Sequence, residues 1–292
     1  MMTKLTVLAP AKVNLILEVI GKRADGYHEI RSLMQTIGLY DVITFENSDH
    51  FTFSCSEQSL QSADNLVVRA IRLFKEKTGH PGNVSVQLTK RIPWAAGLGG
   101  GSSDAAVTLL ALNEFWGGIC SLADLMDIAA KLGSDAPFFI SGGLALIEGR
   151  GDQVTRLPDL DQCWIVLLVP SLPVGDNKTG KIYARLTLSH YSNTHLSEEL
   201  LNAMVLAKAL DSRLVFNTFD AVAFDAFPGI EKYWKLFERL RGKNVHLSGS
   251  GPSLFSICSD KNEAEGLGIL LSGHGLTAYV VPAIQSGGLI KA

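Results

Sequence analysis

Apolar and polar positions alternate along residues 5–20. Val13, Leu15, Leu17 and Val19 fall on one face, with Lys12, Asn14 and Ile16 on the other. The period of two predicts a strand, ended by the turn at 21–26. Further strands are expected at 37–45 and 84–88. Between them the period changes. Leu66, Val67, Ala70, Ile71 and Phe74 recur at helical spacing over 64–77, with Gly79 just beyond. An apolar helix is predicted over 104–115. The next helix is sharply bounded: Ser121 and Asp124 stand at capping-box distance, Leu122, Leu125, Ile128, Ala129 and Leu132 form a stripe, and Gly133 follows. Strand character returns at 142–147 and in the apolar run 164–169. Later come helices near 197–210 and 229–241, strands at 245–247 and 254–258, and a tail at 286–292 expected to fray. A break near residue 158 divides the chain into 1–158 and 159–292, in keeping with a length of 292 residues.

Composition narrows the function. Apolar residues make up 47% and charged residues 19%, enough to bury a core and too little charge for a disordered chain. The net charge is −3 with no long run of either sign, which argues against nucleic acid as the main partner. No apolar run approaches the ~18 residues of a membrane helix, and no secretory leader is visible, so no membrane partner is expected. Cys55, Cys120, Cys163 and Cys258 form no C-x-x-C pair and suit reduced thiols in a cytoplasmic protein. The H-E-x-x-H and G-x-S-x-G patterns are absent, which weakens metalloprotease and serine-hydrolase readings.

Glycine is in excess, 28 of 292 against a usual ~7%. Four of the 28 fall within 97–101, before Ser102, Ser103 and an apolar helix. Backbone without Cβ can approach an anion closely, and a helix start offers free N–H groups, so the segment suits phosphate. The alternative is a flexible turn capped by Ser103. A second cluster, 248–253, is either a backbone nest or a tight turn. Residues 175–181 match G-x-x-x-x-G-K, but Ile182 stands where a P-loop needs a hydroxyl, so this is read as an ordinary loop with no helix start. Asp135, beside the apolar run 136–139, is either a proton acceptor or a turn aspartate. Lys12 and Asn14 are either a solvated edge or part of a site. Tyr27 and His28 are either a surface aromatic pair or ligand contacts.

In this order the segments resemble the GHMP small-molecule kinases. Pro10 to Leu15, Pro93 to Ala105 and Leu247 to Phe255 match their three motifs. The segments 25–29 and 133–139, with the triple glycine, are most similar to the branch acting on cytidine diphosphate-linked methylerythritol. The resemblance implies an α+β, two-domain GHMP kinase fold with the active site in the interdomain cleft. It implies ATP and Mg2+ as cofactors, and a small-molecule alcohol phosphorylated at its 2-hydroxyl on the non-mevalonate route to isoprenoid precursors. It implies Lys12 and Asp135 as catalytic residues. Pro93, Gly97, Leu98, Gly99, Gly100, Gly101, Ser102 and Ser103 would hold ATP, with Ser102 as a magnesium ligand. Asn14, Tyr27, His28, Thr179, Tyr183, Gly249 and Gly251 would bind the substrate. At Lys178 the chain departs from the family's usual serine. Homoserine or mevalonate kinase, or a nucleotide-binding protein without activity, are the competing readings.

Overall fold

The computed structural model describes residues 3–173, 175, 177–207, 210–285 and 288–292. Two long strands form its spine. Strand β1 (Lys4–Lys22) runs antiparallel to β2 (His28–Ser48), with register shifts at Pro10/Ala11, Asn14/Ile16 and Val19/Gly21. Next come β3 (Thr52–Cys55), α1 (Leu66–Thr78) and β4 (Asn83–Thr89). A helical run follows: α2 (Gly100–Phe115), α3 (Leu122–Leu132) and α4 (Ala136–Ser141). The hairpin of β5 (Leu144–Glu148) and β6 (Gln153–Arg156) leads to β7 (Trp164–Val169). The rest of the chain holds α5 (Lys178–Tyr183), α6 (His195–Ala207), β8 (Phe216–Asn217), α7 (Ala223–Ala226), α8 (Ile230–Arg239), β9 (His246–Leu247), β10 (Leu254–Cys258), α9 (Lys261–Gly273), β11 (Thr277–Pro282) and β12 (Ile290–Lys291).

The strands form two mostly antiparallel sheets. One runs β12-β1-β2-β4-β3, with β5 also on β2, β6 on β5 and β8 on β1. The other runs β11-β7-β10-β9. Helices α1 to α4 cover the first sheet, around Phe45, Phe74, Phe138 and Leu109. Helices α8 and α9 pack on the second, around Phe237, Leu254 and Leu271. A third cluster joins the halves through the middle of β1: Ala11, Val13, Leu15 and Ile16 meet Leu167, Phe255 and Val281. Apolar groups on both sides of β1 remove it from water, which drives this association.

The structure explains where the sequence pattern misleads. Of the two readings of Lys12 and Asn14, the solvated edge fails: they are 3% and 1% exposed. Strand β2 starts at His28, not 37, and several of its polar side chains bond inside the sheet. Ser32 donates to the Ile16 carbonyl, and Gln35 to that of Ile284. Helix α2 starts at Gly100, not 104, and its N-cap is Gly99 rather than Ser103. Leu122 is exposed, although the capping box of Ser121 and Asp124 is formed. The loop at 175–181 is not helix-free, since α5 begins at Lys178. The tail is not frayed at its end: Ile290 and Lys291 pair with Leu8 and Val7. Residues 286 and 287 lie outside the described residues, as do 208 and 209 of the expected helix 197–210. Helix α9 is not predicted from the pattern, for Gly266, Gly268 and Gly273 dilute the helical signal. Gly268 has a packing reason: a Cβ there would sit 2.5 Å from Val280.

Candidate active site

Three backbone segments converge on Lys12. Its own N–H donates to the Leu98 carbonyl at 3.0 Å, tying β1 to the first glycine segment. The late segment docks on the same place. Ser248 Oγ donates to the Gly97 carbonyl at 3.0 Å, and the Ser253 N–H to that of Ala96 at 3.1 Å. This contact demands glycine. Gly97 has φ of +84°, and a Cβ would lie 2.1 Å from the Ser248 carbonyl oxygen. Gly249, at φ +53°, leaves room for Lys12 itself, whose Nζ would be 2.7 Å from an added Cβ. An alanine is therefore too large at 97, and at 249 it would displace the Lys12 ammonium.

The Lys12 ammonium donates to Asn14 Oδ1 at 2.6 Å, and Asn14 Nδ2 donates to Ser32 Oγ at 2.8 Å. The Asp135 carboxylate lies 3.7 Å away. Burial pushes Lys12 below the usual lysine range, and Asp135 only partly offsets this. Asp135 is the residue from which α4 starts, but its side chain makes no capping bond. It is 31% exposed and faces the cleft. Thus Asp135 is at once a helix-end aspartate and a carboxylate free to act on a ligand.

The cleft has a volume of about 950 Å³. Lys12 and Asn14 line it, with Tyr27, His28, Gly97, Gly99, Ser102 and Asp135. Thr179, Tyr183 and Gly249 belong to it too. His28 stacks on Tyr183, centroids 4.7 Å apart at 23°, and Tyr183 meets Phe219 edge-on. Burial and then Lys22 lower the His28 pKa, so its ring is neutral at pH 7. Burial and then Asp135 push the Tyr183 phenol up.

A second cavity of about 440 Å³ adjoins the cleft. Pro93, Gly97, Leu98, Gly99, Gly100, Gly101 and Ser102 line it, opposite Asp64, Asn65 and Lys90. The amides of Gly100, Gly101 and Ser102 open α2 and have no carbonyl one turn back. They form a ready cradle for phosphate oxygens. Ser103 and Gly251 line neither cavity. Ser103 is fully buried, with its N–H on the Gly99 carbonyl at 2.9 Å.

Several lining residues carry no assignment in the sequence reading. Trp94, 58% exposed, stands on the rim shared by both cavities. Arg150 lies over the Tyr27 ring at 5.5 Å and donates to Asp152 Oδ2 at 2.6 Å. Lys178 enters the cleft from α5. Lys90 bridges two buried carboxylates, Asp41 and Asp104, beside the second cavity. Asp104 lies inside the Ser-Ser-Asp-Ala run, and its helical position conceals that it faces Lys90.

Family models place this arrangement. Residues 65–143 match the GHMP kinases N terminal domain, and 197–267 match the GHMP kinases C terminal domain. A 4-diphosphocytidyl-2-C-methyl-D-erythritol kinase of Dehalococcoides mccartyi is 44% identical over 96% of this chain and 98% of its own.

The chain belongs to the GHMP kinase family.

A kinase of the same description from Geobacillus kaustophilus is 36% identical, over 87% of this chain and 88% of its own. A crystal structure of 4-(cytidine 5'-diphospho)-2C-methyl-D-erythritol kinase superposes with a TM-score of 0.82 at 32% identity, covering 97% of this chain and all of that one. A homoserine kinase from Cytophaga hutchinsonii, at 19% identity and a TM-score of 0.75, shares the fold. As a GHMP kinase, the protein is a small-molecule kinase that uses ATP, with the family's α+β architecture.

Proposed function

We propose that this kinase transfers the γ-phosphoryl group of ATP to the 2-hydroxyl of 4-diphosphocytidyl-2-C-methyl-D-erythritol, on the non-mevalonate route to isoprenoid precursors. The observation that carries the reading is the Lys12–Asp135 pair at 3.7 Å, in the cleft where it meets a glycine-walled cavity. A binding protein needs neither group. Phosphoryl transfer asks the protein mainly for positioning and charge stabilisation.

In this reading the second cavity holds ATP, with its phosphates on the α2 amides. Asp135 accepts the proton of the attacking hydroxyl, and Lys12, 3.7 Å from that carboxylate, faces the charge on the moving group. Asn14 fixes the Lys12 ammonium and orients the acceptor. His28, neutral and stacked on Tyr183, reads the cytosine edge, while Tyr27 and Tyr183 offer it aromatic faces. Thr179 and Gly249 complete the acceptor side, and Gly251 supports it from behind. Ser103 holds the phosphate segment through its backbone rather than touching ATP.

Magnesium would lower the charge on the ATP oxygens. Among the described residues no group of three His, Cys, Asp or Glu side chains could hold an ion. Asp104 is tied to Lys90. Ser102, which lines both cavities, is the hydroxyl that fits, so the ion would be held mainly by nucleotide and water.

We place the division between domains at 158/159, and the protein in the cytoplasm. All four cysteines are free thiols. Among the described residues no helix is long and apolar enough to cross a membrane. The net charge of −3 speaks against a nucleic-acid partner.

The decisive test is a steady-state assay with ATP and magnesium, offering this alcohol, homoserine and mevalonate in parallel. Turnover of the cytidine-linked alcohol far above the other two is expected. Preference for homoserine or mevalonate would overturn the substrate assignment.

A further inference from the structure

Lys178 stands where three segments meet. It begins α5, is partly buried, and lines the cleft. Its Nζ donates to the Gly251 carbonyl of the late glycine segment. The next residue repeats the link, with Thr179 Oγ1 3.0 Å from Ser250 Oγ. The late segment in turn rests on Gly97, so the Lys178 ammonium reaches the seam between both glycine segments.

Its surroundings do not balance its charge. Lys12, from β1, repels it, and Asp135, before α4, attracts it. On its own helix stand Lys181 and Tyr183, the latter neutral because burial and Asp135 hold its proton. Among the described residues no carboxylate lies within 4.0 Å of Lys178. A desolvated ammonium held by one neutral carbonyl gains most from an anionic ligand.

We infer that Lys178 is a second cation of the reaction centre, whose ammonium exchanges the Gly251 carbonyl for phosphate oxygens when ligands fill the cleft. The inference rests on the functional reading above, which brings a diphosphate and a triphosphate to this place. It gives the site a cation on α5 facing Lys12 across the cleft, with Asp135 near both. Burial and then Lys12 lower Lys178 to about 7, which the ligand's negative charge would reverse.

Two substitutions separate charge from shape. Lys178→Met removes the cation, and Lys178→Arg keeps it at any working pH. Both are titrated with cytidine diphosphate and with a non-hydrolysable ATP analogue, then assayed for turnover. Losing one charge-assisted contact should cost Lys178→Met roughly 10- to 100-fold. A loss in cytidine diphosphate affinity assigns the contact to the acceptor, and one in analogue affinity to the donor. A loss in kcat alone assigns it to the transferred group. Lys178→Arg should recover most of the loss. Wild-type kcat/KM should fall as pH rises through about 7, and that limb should vanish in both variants.

Unchanged affinities, kcat and pH profile in Lys178→Met would overturn the inference. So would equal losses in both variants, which would make Lys178 a structural latch only. A wild-type enzyme that binds both nucleotides but leaves the alcohol unphosphorylated would overturn the functional reading alone, and the titrations would still decide Lys178.

Discussion

The side chains of Lys12 and Lys90 are both buried, and they are buried for opposite ends. Lys90 lies between Asp41 and Asp104, and Asp41 also accepts the Ile92 amide at 2.8 Å. Burial pulls Lys90 down, but Asp104 and Asp41 together raise it above the ordinary lysine range. Lys12 has one carboxylate, at 3.7 Å, and burial wins. The first ammonium is fully countered and holds β2, the segment after β4 and α2 together. The second is left with charge to spare, facing a cleft. A buried cation becomes useful for chemistry when its local compensation is incomplete, and structural when it is complete.

This contrast can be broken by substitution. Asp135→Asn and Lys12→Met should each lower kcat about 1,000-fold or more, with little change in melting temperature or ATP-analogue affinity. Near-normal kcat in Asp135→Asn would remove the base assignment. Lys90→Met should do the reverse to stability. Stranding two buried carboxylates costs about 3–5 kcal/mol, which thermal melts would show as a drop of roughly 10 °C. A Lys90→Met protein as stable as the wild type would erase the distinction between the two lysines.

The next effect is smaller and tests the frame that holds Lys12. Gly97→Ala meets the Ser248 carbonyl and an unfavourable φ. The backbone conformation alone should cost about 1–3 kcal/mol, and ATP-analogue affinity and kcat should fall together. Gly100 has no such φ, and its added Cβ would meet only side chains at 3.1 Å and beyond. Gly100→Ala should therefore be milder in an isothermal titration, and a reversed order would show that the late segment does not set the phosphate site.

The smallest effect is in pH dependence. Lys12 is lowered on folding, so between its folded and unfolded pKa values the unfolded chain binds more protons and stability rises with pH. Any stability gained by Lys12→Met at pH 7 should shrink toward pH ~10.4. Lys90 is raised, so its contribution is complete below the unfolded value and is lost as pH climbs through the folded one. Urea melts from pH 7 to 11 on both variants would expose opposite trends, and parallel curves would refute the reading.

Much of this was legible in the sequence because chemistry concentrates in short segments. The phosphate segment stands out by residue type and spacing, whereas Asp135 and Lys12 stay open on pattern alone and are singled out only by the resemblance to the GHMP kinases. The partners that give them meaning are distant in the chain: Gly97 needs Ser248, and Lys12 needs Asp135. Periodicity found α1 and α3, whose apolar faces are one-sided, and missed the start of β2, whose buried polar groups look like surface. Glycine hid α9, although Asp260 caps it by accepting the Glu263 amide at 2.9 Å. Lys178 sat in a stretch set aside as a failed P-loop, and Asp104 in a motif that says nothing of Lys90.

Trp94 gives the molecule a built-in optical probe. Of the four tryptophans, Trp116, Trp164 and Trp234 are partly covered and line neither cavity, while Trp94 stands on the rim of both. Its emission will respond when either neighbouring space fills, without a label or a coupled assay. Stopped-flow mixing of donor first or acceptor first will then resolve two arrivals in time. The order of addition that gives a single merged transient will identify which ligand prepares the rim for the other.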